Sequence, residues 1–239
     1  MARTAISQRR KSVLHYPYSL ESSSITSPLN LGSTFDPSSG DWTLRVPFKL
    51  SVLPSVQGSS FVFYSQVDGN GTGSIWMNVL STNDNFRTNF DGSPFDWDYI
   101  FDLKWHEYVL RWNSVTEDLT LSVDGATEQV QPNVTMRSAD GVHKIFTNKA
   151  GGSGAIGKIG PPLLITRHIT DEEVADMYYD GVIPSDNQNY FLPLTEGSSD
   201  PQDISGNSND ATLGSNTWNA TDTPGKARTA ITQNRTSVS

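Results

Sequence analysis

The sequence predicts an all-β protein built as a two-sheet antiparallel sandwich of the jelly-roll type. Its 239 residues are 35% hydrophobic, which is enough for a core, and only 18% charged. Short runs rich in apolar residues recur roughly every 8–12 residues between Gly, Asn and Asp turns, a spacing typical of such sandwiches. The clearest run is Trp42–Leu50, whose apolar residues alternate with Thr43, Arg45, Pro47 and Lys49, so we expect one buried and one wet face.

Pro47 cannot donate a ladder hydrogen bond, which predicts that the strand of Trp42–Leu50 lies at a sheet edge or beside a bulge. Other runs show the same alternation, or are short apolar segments bounded by turn residues. Seven of them are predicted as strands: 60–67, 73–80, 105–112, 119–123, 160–166, 190–194 and 211–213.

One short surface helix is predicted after Thr170. Thr170 and Glu173 have the spacing of a capping box, and Gly181 supplies a stop. Val174 and Met177, with Tyr178, form an apolar stripe that would pack on the sandwich. The acidic residues of the first turn favour the positive end of the helix dipole, so they need no catalytic role.

The charge is divided between an acidic body and two basic ends. The chain has 17 basic and 26 acidic residues; 1–15 holds four of the basic residues and 225–239 holds three, with no acid in either segment. Residues 16–224 therefore keep 17 − 4 − 3 = 10 basic and 26 acidic residues, a net charge of −16. We expect a basic N-terminal arm at 1–15, a jelly-roll domain at 16–224 and a C-terminal arm at 225–239. The overall acidity argues against nucleic acid as a partner.

The two arms share one motif. Residues 2–13 and 227–238 are identical at nine of twelve positions. The motif is either a linker that was duplicated with a module, or an arm used twice to dock on equivalent sites of a symmetric partner, where two weak contacts reinforce each other. Each arm could also add as a strand to a neighbour's sheet edge. The residues expected to make these assembly contacts are Arg3, Ile6, Gln8, Arg10, Arg228, Ile231, Gln233 and Arg235.

Several motifs of the body occur together in one known family. Trp105-His106 opens a predicted strand, Asp124-Gly125 closes the next, and a helix of the form DEEVADMY follows at 171–178. The segment 190–218 combines YFLPLTEG with DISGNSNDATL and a late Trp. Over roughly 24–218 the chain resembles the laminin-G-like, concanavalin-A-like jelly-roll family. In common members the last segment opens the domain, so here the domain is either circularly permuted or closed by the start of a following module.

The resemblance implies two functional classes, since such domains are common in phage virion proteins and in secreted adhesins. The N-terminus lacks the apolar region of a signal peptide, and the chain has no cysteine, so disulfides and thiolate metal sites are excluded. We expect a non-enzymatic structural protein of a phage virion surface, a capsid decoration or tail-fibre component made in the host cytoplasm. Its arms would anchor it to other virion proteins or to copies of itself. The alternative is a carbohydrate-binding adhesin or receptor-recognition module that binds a host-surface glycan.

A glycoside hydrolase is the second alternative, because the same fold carries such enzymes. They need two carboxylates that face the scissile bond. In the concanavalin-A-like hydrolases these lie in a Glu-x-Asp-x-(x)-Glu run, which this sequence lacks. The four histidines are scattered and match no metal-protease pattern, and His106 is expected to be a satisfied, partly buried family residue. We therefore nominate no catalytic residue. No apolar run approaches the ~18 residues of a membrane span.

One loop is a candidate site for a structural calcium, and no other cofactor is expected. Calcium prefers several oxygen ligands from carboxylates, amides and carbonyls. The alternative is a plain network of Asx turns. The residues in question are Asp203, Asn207, Asn209 and Asp210.

The stretch 83–102 is unusual in alternating six aromatic residues with five aspartates. It is either a long loop that folds its aromatics into its own core, a protein contact, or a glycan site, since interfaces are enriched in aromatics and sugars bind between ring faces and polar side chains. For a sugar site we predict Trp97, Tyr99, Asp96 and Asn89.

Overall fold

Two antiparallel β-sheets pack face to face in the computed structural model, which confirms the predicted all-β sandwich. The arm residues fall outside the described part of the chain, so the assembly contacts predicted for them stay predictions. In the described part, no helix is both long and apolar enough to cross a membrane. The structure describes residues 16–22, 29–66, 75–90, 93–138, 141–146 and 154–224.

The larger sheet has nine strands within the described residues, numbered here in chain order for the whole molecule. Its main path runs β10-β9-β8-β3-β12-β1-β16, and β13 pairs with β3 and carries β14. The strands are β1 (Ser19–Ser22), β3 (Trp42–Leu50), β8 (His106–Asn113), β9 (Asp118–Val123), β10 (Ala126–Gln131), β12 (Gly157–Ile159), β13 (Leu163–Ile165), β14 (Gln188–Phe191) and β16 (Thr217–Asn219).

The second sheet has seven strands within the described residues, in the order β15-β2-β11-β4-β5-β6-β7. A one-turn helix, α1 (Pro54–Gln57), precedes β4. The strands are β2 (Leu29–Thr34), β4 (Phe61–Gln66), β5 (Ile75–Val79), β6 (Asn85–Phe90), β7 (Ser93–Ile100), β11 (Val142–Ile145) and β15 (Ala211–Thr212). Each of the eight predicted strands corresponds to a strand here with somewhat different ends, whereas β1, β2, β6, β7, β10, β11, β12 and β16 were not predicted.

Strand β3 is central, so Pro47 does not mark a sheet edge, but it lies beside a one-residue register shift between the pairs Phe48–Ile159 and Arg45–Leu163, as the bulge alternative predicted. β8 pairs along one side of β3, while the other side pairs first with β13 and then with β12. Pro47 falls between those two partners, and its carbonyl there accepts from Gly160 N at 2.8 Å. The backbone N and C=O of one residue point to the same side of a strand. The Pro47 nitrogen, which carries no hydrogen, therefore faces the space between β13 and β12. The position therefore loses no ladder hydrogen bond.

Aromatic side chains fill the space between the two sheets. Phe48 of the larger sheet stacks on Phe63 of the smaller sheet at 4.8 Å between ring centroids. Phe101 stacks on Tyr108 at 4.9 Å, and Phe86 contacts both Phe63 and Tyr108. Such ring pairs add geometric preference to the burial of a large apolar area. The inner faces of β3, β4, β6 and β8 therefore form one continuous core.

The outer face of the nine-stranded sheet is also covered, which corrects the expectation of a wet face on β3. Helix α2 (Asp171–Ala175) continues into a π-helical turn (Asp176–Asp180), and the predicted capping box and Gly181 stop are both present. Val174 and Met177 pack with apolar residues of β8, β13 and β14 in a second, smaller core. Arg111 of β8 donates to Asp171 at 2.6 Å and so holds the helix start on the sheet.

A buried ion pair lies beneath this outer layer. Arg45 of β3 is 2% exposed and donates to Glu107 of β8 at 2.5 Å and to the Pro161 carbonyl at 3.0 Å. The ring of Tyr16 lies 5.7 Å from the guanidinium carbon. A cation removed from water in this way is tolerated only when its partners compensate the lost hydration.

The Trp105-His106 and Asp124-Gly125 motifs meet in space. His106 Nδ1 lies 2.7 Å from Asp124 Oδ2, and its Nε2 lies 2.9 Å from Asp102 Oδ1. Asp124 also accepts from Glu107 N at 2.9 Å. His106 therefore links the start of β8 to the turn between β9 and β10, the satisfied and partly buried role predicted for it.

Segment 190–218 belongs to the same sandwich. Its strand β15 pairs with β2 at one edge of the seven-stranded sheet, and β16 pairs with β1 at the edge of the other sheet. Beyond β16, Asp222 accepts from Lys49 and Lys158 at 2.7 Å each and from Trp105 Nε1 at 2.8 Å. The described C-terminal end is thus fastened across the nine-stranded sheet.

Replacing Glu107 by Gln is expected to lower the free energy of unfolding by about 3 kcal/mol, because Arg45 would stay buried and charged without its counter-ion. Denaturant unfolding at pH 7 measures the change. Glu117→Gln, in the exposed turn after β8, is the matched control and should have little effect. Equal stability of Glu107→Gln and the wild type would show that the pair does not hold this layer.

His106 predicts a pH-dependent contribution to stability. Burial alone would lower its pKa, but hydrogen bonds to Asp124 and Asp102 raise it above the ordinary 6.5. The stabilisation is therefore complete below pH 6.5 and is lost as the pH rises through the higher, folded-state value. The stability gap between wild type and His106→Gln should shrink from pH 5.5 to pH 9 in thermal unfolding.

His168 provides the control of opposite sign, because burial lowers its pKa. Protonating it costs folding energy, so the advantage of wild type over His168→Gln should shrink as the pH falls. A gap for His106→Gln that stays constant across the pH range would contradict its charged role.

Candidate functional site

The aromatic stretch 83–102 forms the β6–β7 hairpin at the edge of the seven-stranded sheet. Phe86, Phe90, Trp97 and Phe101 are buried in the main core. Of the three alternatives drawn from the sequence, the structure is closest to the one in which the stretch buries its own aromatics. The stretch forms two strands, however, and not a loop. Strand alternation places the intervening polar residues on the outer face.

This alternation separates the four residues predicted for a sugar site. Trp97 is 1% exposed, donates from Nε1 to Thr88 Oγ1 at 2.9 Å and stacks on Phe86. Its ring therefore offers no face to a ligand, which corrects its proposed stacking role. Tyr99 is half-buried against other rings of the core, whereas Asn89 and Asp96 lie on the outer face.

A shallow depression of about 420 Å³ marks the edge where β7 and β10 approach each other. Asp98 N donates to Gln129 Oε1 at 3.1 Å across this edge and so ties the two sheets together. The depression brings two of the predicted residues, Trp97 and Tyr99, to one place, although Trp97 is only 1% exposed. Its lining residues are Trp97, Asp98, Tyr99, Leu121 and Gln129.

The outer face of the seven-stranded sheet carries two rows of mostly polar side chains. Cross-strand partners lie side by side, so the strand register defines each row. The shorter row runs from Asn78 of β5 through Arg87 of β6 to Asp96 of β7. The longer row crosses all seven strands through Thr212, Asn30, Lys144, Ser65, Trp76, Asn89 and Pro94.

Two polar atoms in these rows are buried without a protein partner. Trp76 Nε1 and Asn78 Oδ1 are shielded from solvent and have no hydrogen-bond partner in the described part of the chain, although both residues are partly exposed. An unpaired buried donor or acceptor lowers the stability of the folded state by about 1–3 kcal/mol, so such atoms are rare in proteins. The two side chains are neighbours on one face of β5. A hydroxyl group can accept from an indole N–H or donate to an amide oxygen, so ligand hydroxyls could pair with these two atoms.

Sequence reasoning missed Trp76 and Asn78, although a signal was present. In β5, Ile75, Met77 and Val79 alternate with these two residues, and the apolar three point into the core. The alternation thus predicts an aromatic and an amide together on the opposite face.

Arg87 and Asp96 form a two-pronged ion pair beside these atoms. Arg87 donates from Nε to Oδ1 and from its terminal nitrogen to Oδ2 at 2.8 Å. These hydrogen bonds lower the pKa of Asp96 and raise the pKa of Arg87, so both stay charged at neutral pH. The pair presents a fixed polar platform on the sheet.

The loop predicted for calcium is held by hydrogen bonds from the protein itself. Asp203 accepts from Phe191 N and Ser205 N at 2.9 Å, from Ser205 Oγ at 2.8 Å and from Asn209 N at 3.0 Å. Donors thus occupy the positions around the Asp203 carboxylate that a cation would need. Asp210 Oδ1 likewise accepts from Asp203 N at 2.7 Å.

The amide groups of the same loop also bind backbone. Asn209 donates to the Asn189 carbonyl at 2.7 Å, and Asn207 donates to the Gln188 carbonyl at 2.7 Å. Across the described ranges, no group of three or more His, Asp or Glu side chains is placed to hold a metal ion. The geometry therefore matches the Asx-turn network, and a calcium ion at this loop stays a prediction.

Trp97→Ala is expected to lower the free energy of unfolding by about 3–5 kcal/mol, because it opens a large cavity and leaves Thr88 without its donor. Thermal or denaturant unfolding measures this. Pro94→Ala on the same strand, where the side chain is exposed, is the control and should cost far less. Wild-type stability of Trp97→Ala would return Trp97 to the list of ligand-binding candidates.

Neither family models nor curated proteins match this chain. Solved structures do match it. A Bacteroides ovatus protein whose proposed role is carbohydrate binding aligns with a TM-score of 0.66 at 13% identity, over 88% of this chain and 62% of that one. The chain thus spans less than two thirds of that protein.

Two smaller proteins also align. The heptameric SAP-like pentraxin of Limulus polyphemus does so with a TM-score of 0.53 at 14% identity, over 88% of this chain and 94% of the pentraxin. The CBM40 of a Ruminococcus gnavus IT-sialidase, solved bound to α2,3-sialyllactose, aligns with a TM-score of 0.50 at 12% identity, over 67% and 96% of the two chains. At these identities the matches establish the fold, and this chain has the jelly-roll sandwich of the concanavalin-like type.

Proposed function

We propose that this protein is a non-enzymatic carbohydrate-binding module whose ligand lies on the outer face of the seven-stranded sheet. The observation that carries the proposal is the unpaired indole N–H of Trp76 beside the unpaired amide oxygen of Asn78 in a polar, partly exposed surface. The corresponding face of the nine-stranded sheet is closed by α2 and its apolar contacts. Within the described residues, no such helical layer covers the outer face of the seven-stranded sheet.

The chemistry of this face suits a sugar. A hydroxyl group both donates and accepts, so the hydroxyls of a sugar can pair with Trp76 and with Asn78, and a tryptophan ring provides an apolar surface next to a polar group. Asn89 and the Arg87–Asp96 pair add amide and charged groups along the same rows. The proposed role of the Bacteroides protein and the sialyllactose bound to the CBM40 support the same class of ligand.

A hydrolase is less well supported by this surface. Glycoside hydrolysis needs a general acid with a raised pKa and a second carboxylate opposite it. Asp96, the carboxylate of the polar rows, has its pKa lowered by its hydrogen bonds to Arg87. A binding role asks only that the pair remain charged and in place.

The virion-surface role predicted from the sequence stays a prediction. It depends on the repeated arms, which lie outside the described residues, and a glycan-binding body is compatible with it.

A glycan array followed by calorimetric titration of the strongest glycan tests the proposal. Trp76→Phe keeps a ring but removes the N–H, and Asn78→Ala removes the oxygen; each is expected to weaken binding about tenfold, or about 1.4 kcal/mol. Trp76→Phe should not lower the melting temperature, because the atom it removes is unpaired in the free protein.

Trp105→Phe is the matched control, because it also removes an indole N–H. That N–H donates to Asp222 at the nine-stranded sheet and not at the proposed site. The variant should leave glycan affinity unchanged. Failure to bind any glycan on the array, or undiminished affinity of Trp76→Phe, would refute the proposed site.

A further inference from the structure

We propose that this protein associates with copies of itself, and that a basic arm of one copy docks on the surface around Tyr179 and Val182 of another. This surface follows α2 on the outer side of the nine-stranded sheet. Tyr179 is 62% exposed and Val182 is 45% exposed, whereas their neighbours Val174 and Met177 are buried. We call the surface around these two exposed side chains the patch.

Both described ends of the chain lie on this same side. Tyr16 packs over Arg45, on the outer face of β3. Pro224 lies so close to Gly160 that a Cβ there would come within 2.5 Å of it, and within 3.0 Å of Pro47, two residues after Arg45. The repeated arm motifs 2–13 and 227–238 therefore leave the body close together, beside the layer that contains the patch.

The patch and the arms are complementary in charge. The segment 171–180 has five acidic residues and no basic one, although Arg111 and Arg167 of the body pair with Asp171 and Glu173. The two arms have seven basic residues and no acidic one. Each arm motif also carries one isoleucine, Ile6 or Ile231, that can contact an exposed apolar side chain. Basic and apolar groups in the arm thus match acidic and apolar groups around Tyr179.

The number of arms favours a second copy as the partner. Each chain carries two nearly identical arm motifs but, in its described part, one α2 surface. A chain that bound one of its own arms would still have the other arm free to engage another copy. An arm of 15 residues can extend to about 50 Å, which is far enough to reach a neighbouring molecule. Two arms rooted together then act through a high effective concentration.

Sedimentation velocity of the full chain and its variants over a concentration series tests this inference. The full chain is expected to self-associate at about 50 mM salt and to dissociate towards 1 M, because screening weakens exposed ion pairs. A variant lacking both 1–13 and 227–239 should be monomeric. Tyr179→Ser and Glu172→Lys should each weaken association at least tenfold with the arms intact.

Val115→Ser and Glu117→Lys are the matched controls, since both residues are exposed in the turn between β8 and β9. They should associate as the wild type does. A full chain that is monomeric at all concentrations would overturn the proposal. So would association that survives loss of both arms, or that Tyr179→Ser and Glu172→Lys leave unchanged.

Discussion

Burial of both faces of the nine-stranded sheet is the constraint on which the rest of the structure depends. Strand β3 lies at its centre, with the aromatic core on one side and the α2 layer on the other. The Arg45 side chain cannot reach water in this strand, so it needs Glu107 and the Pro161 carbonyl. The same sheet accommodates Pro47 because its partners change at that position.

This asymmetry places the two proposed functions on different faces of the molecule. The layer that closes the nine-stranded sheet brings α2, Tyr179 and both described chain ends to one side. The polar rows with Trp76 and Asn78 belong to the other sheet. Glycan binding and self-association would therefore use separate faces, and neither would obstruct the other. A module that gathers several copies would also present several glycan sites at once, which raises its avidity.

Predictions from the sequence succeeded where the physics is local. Thr170, Glu173 and Gly181 specify the start and stop of the α2 segment through hydrogen bonds within a few residues, and the structure has both. They failed where a side chain's neighbours come from distant strands. Trp97 was predicted to bind a ligand because aspartates flank it. Its position on β7 points inward, however, so its side chain packs in the core beside Thr88.

The sequence by itself determined the class of fold, the aromatic content of its core and the two-ended repeat with its opposite charge. Alternation, turn residues and caps are short-range signals that each element carries alone. Only the tertiary structure decided which outer face stays open, that Asp203 is already enclosed by donors, and that the two arm roots lie close together. Those outcomes depend on the pairing of strands far apart in the chain, such as β1 with β16, which no local pattern encodes.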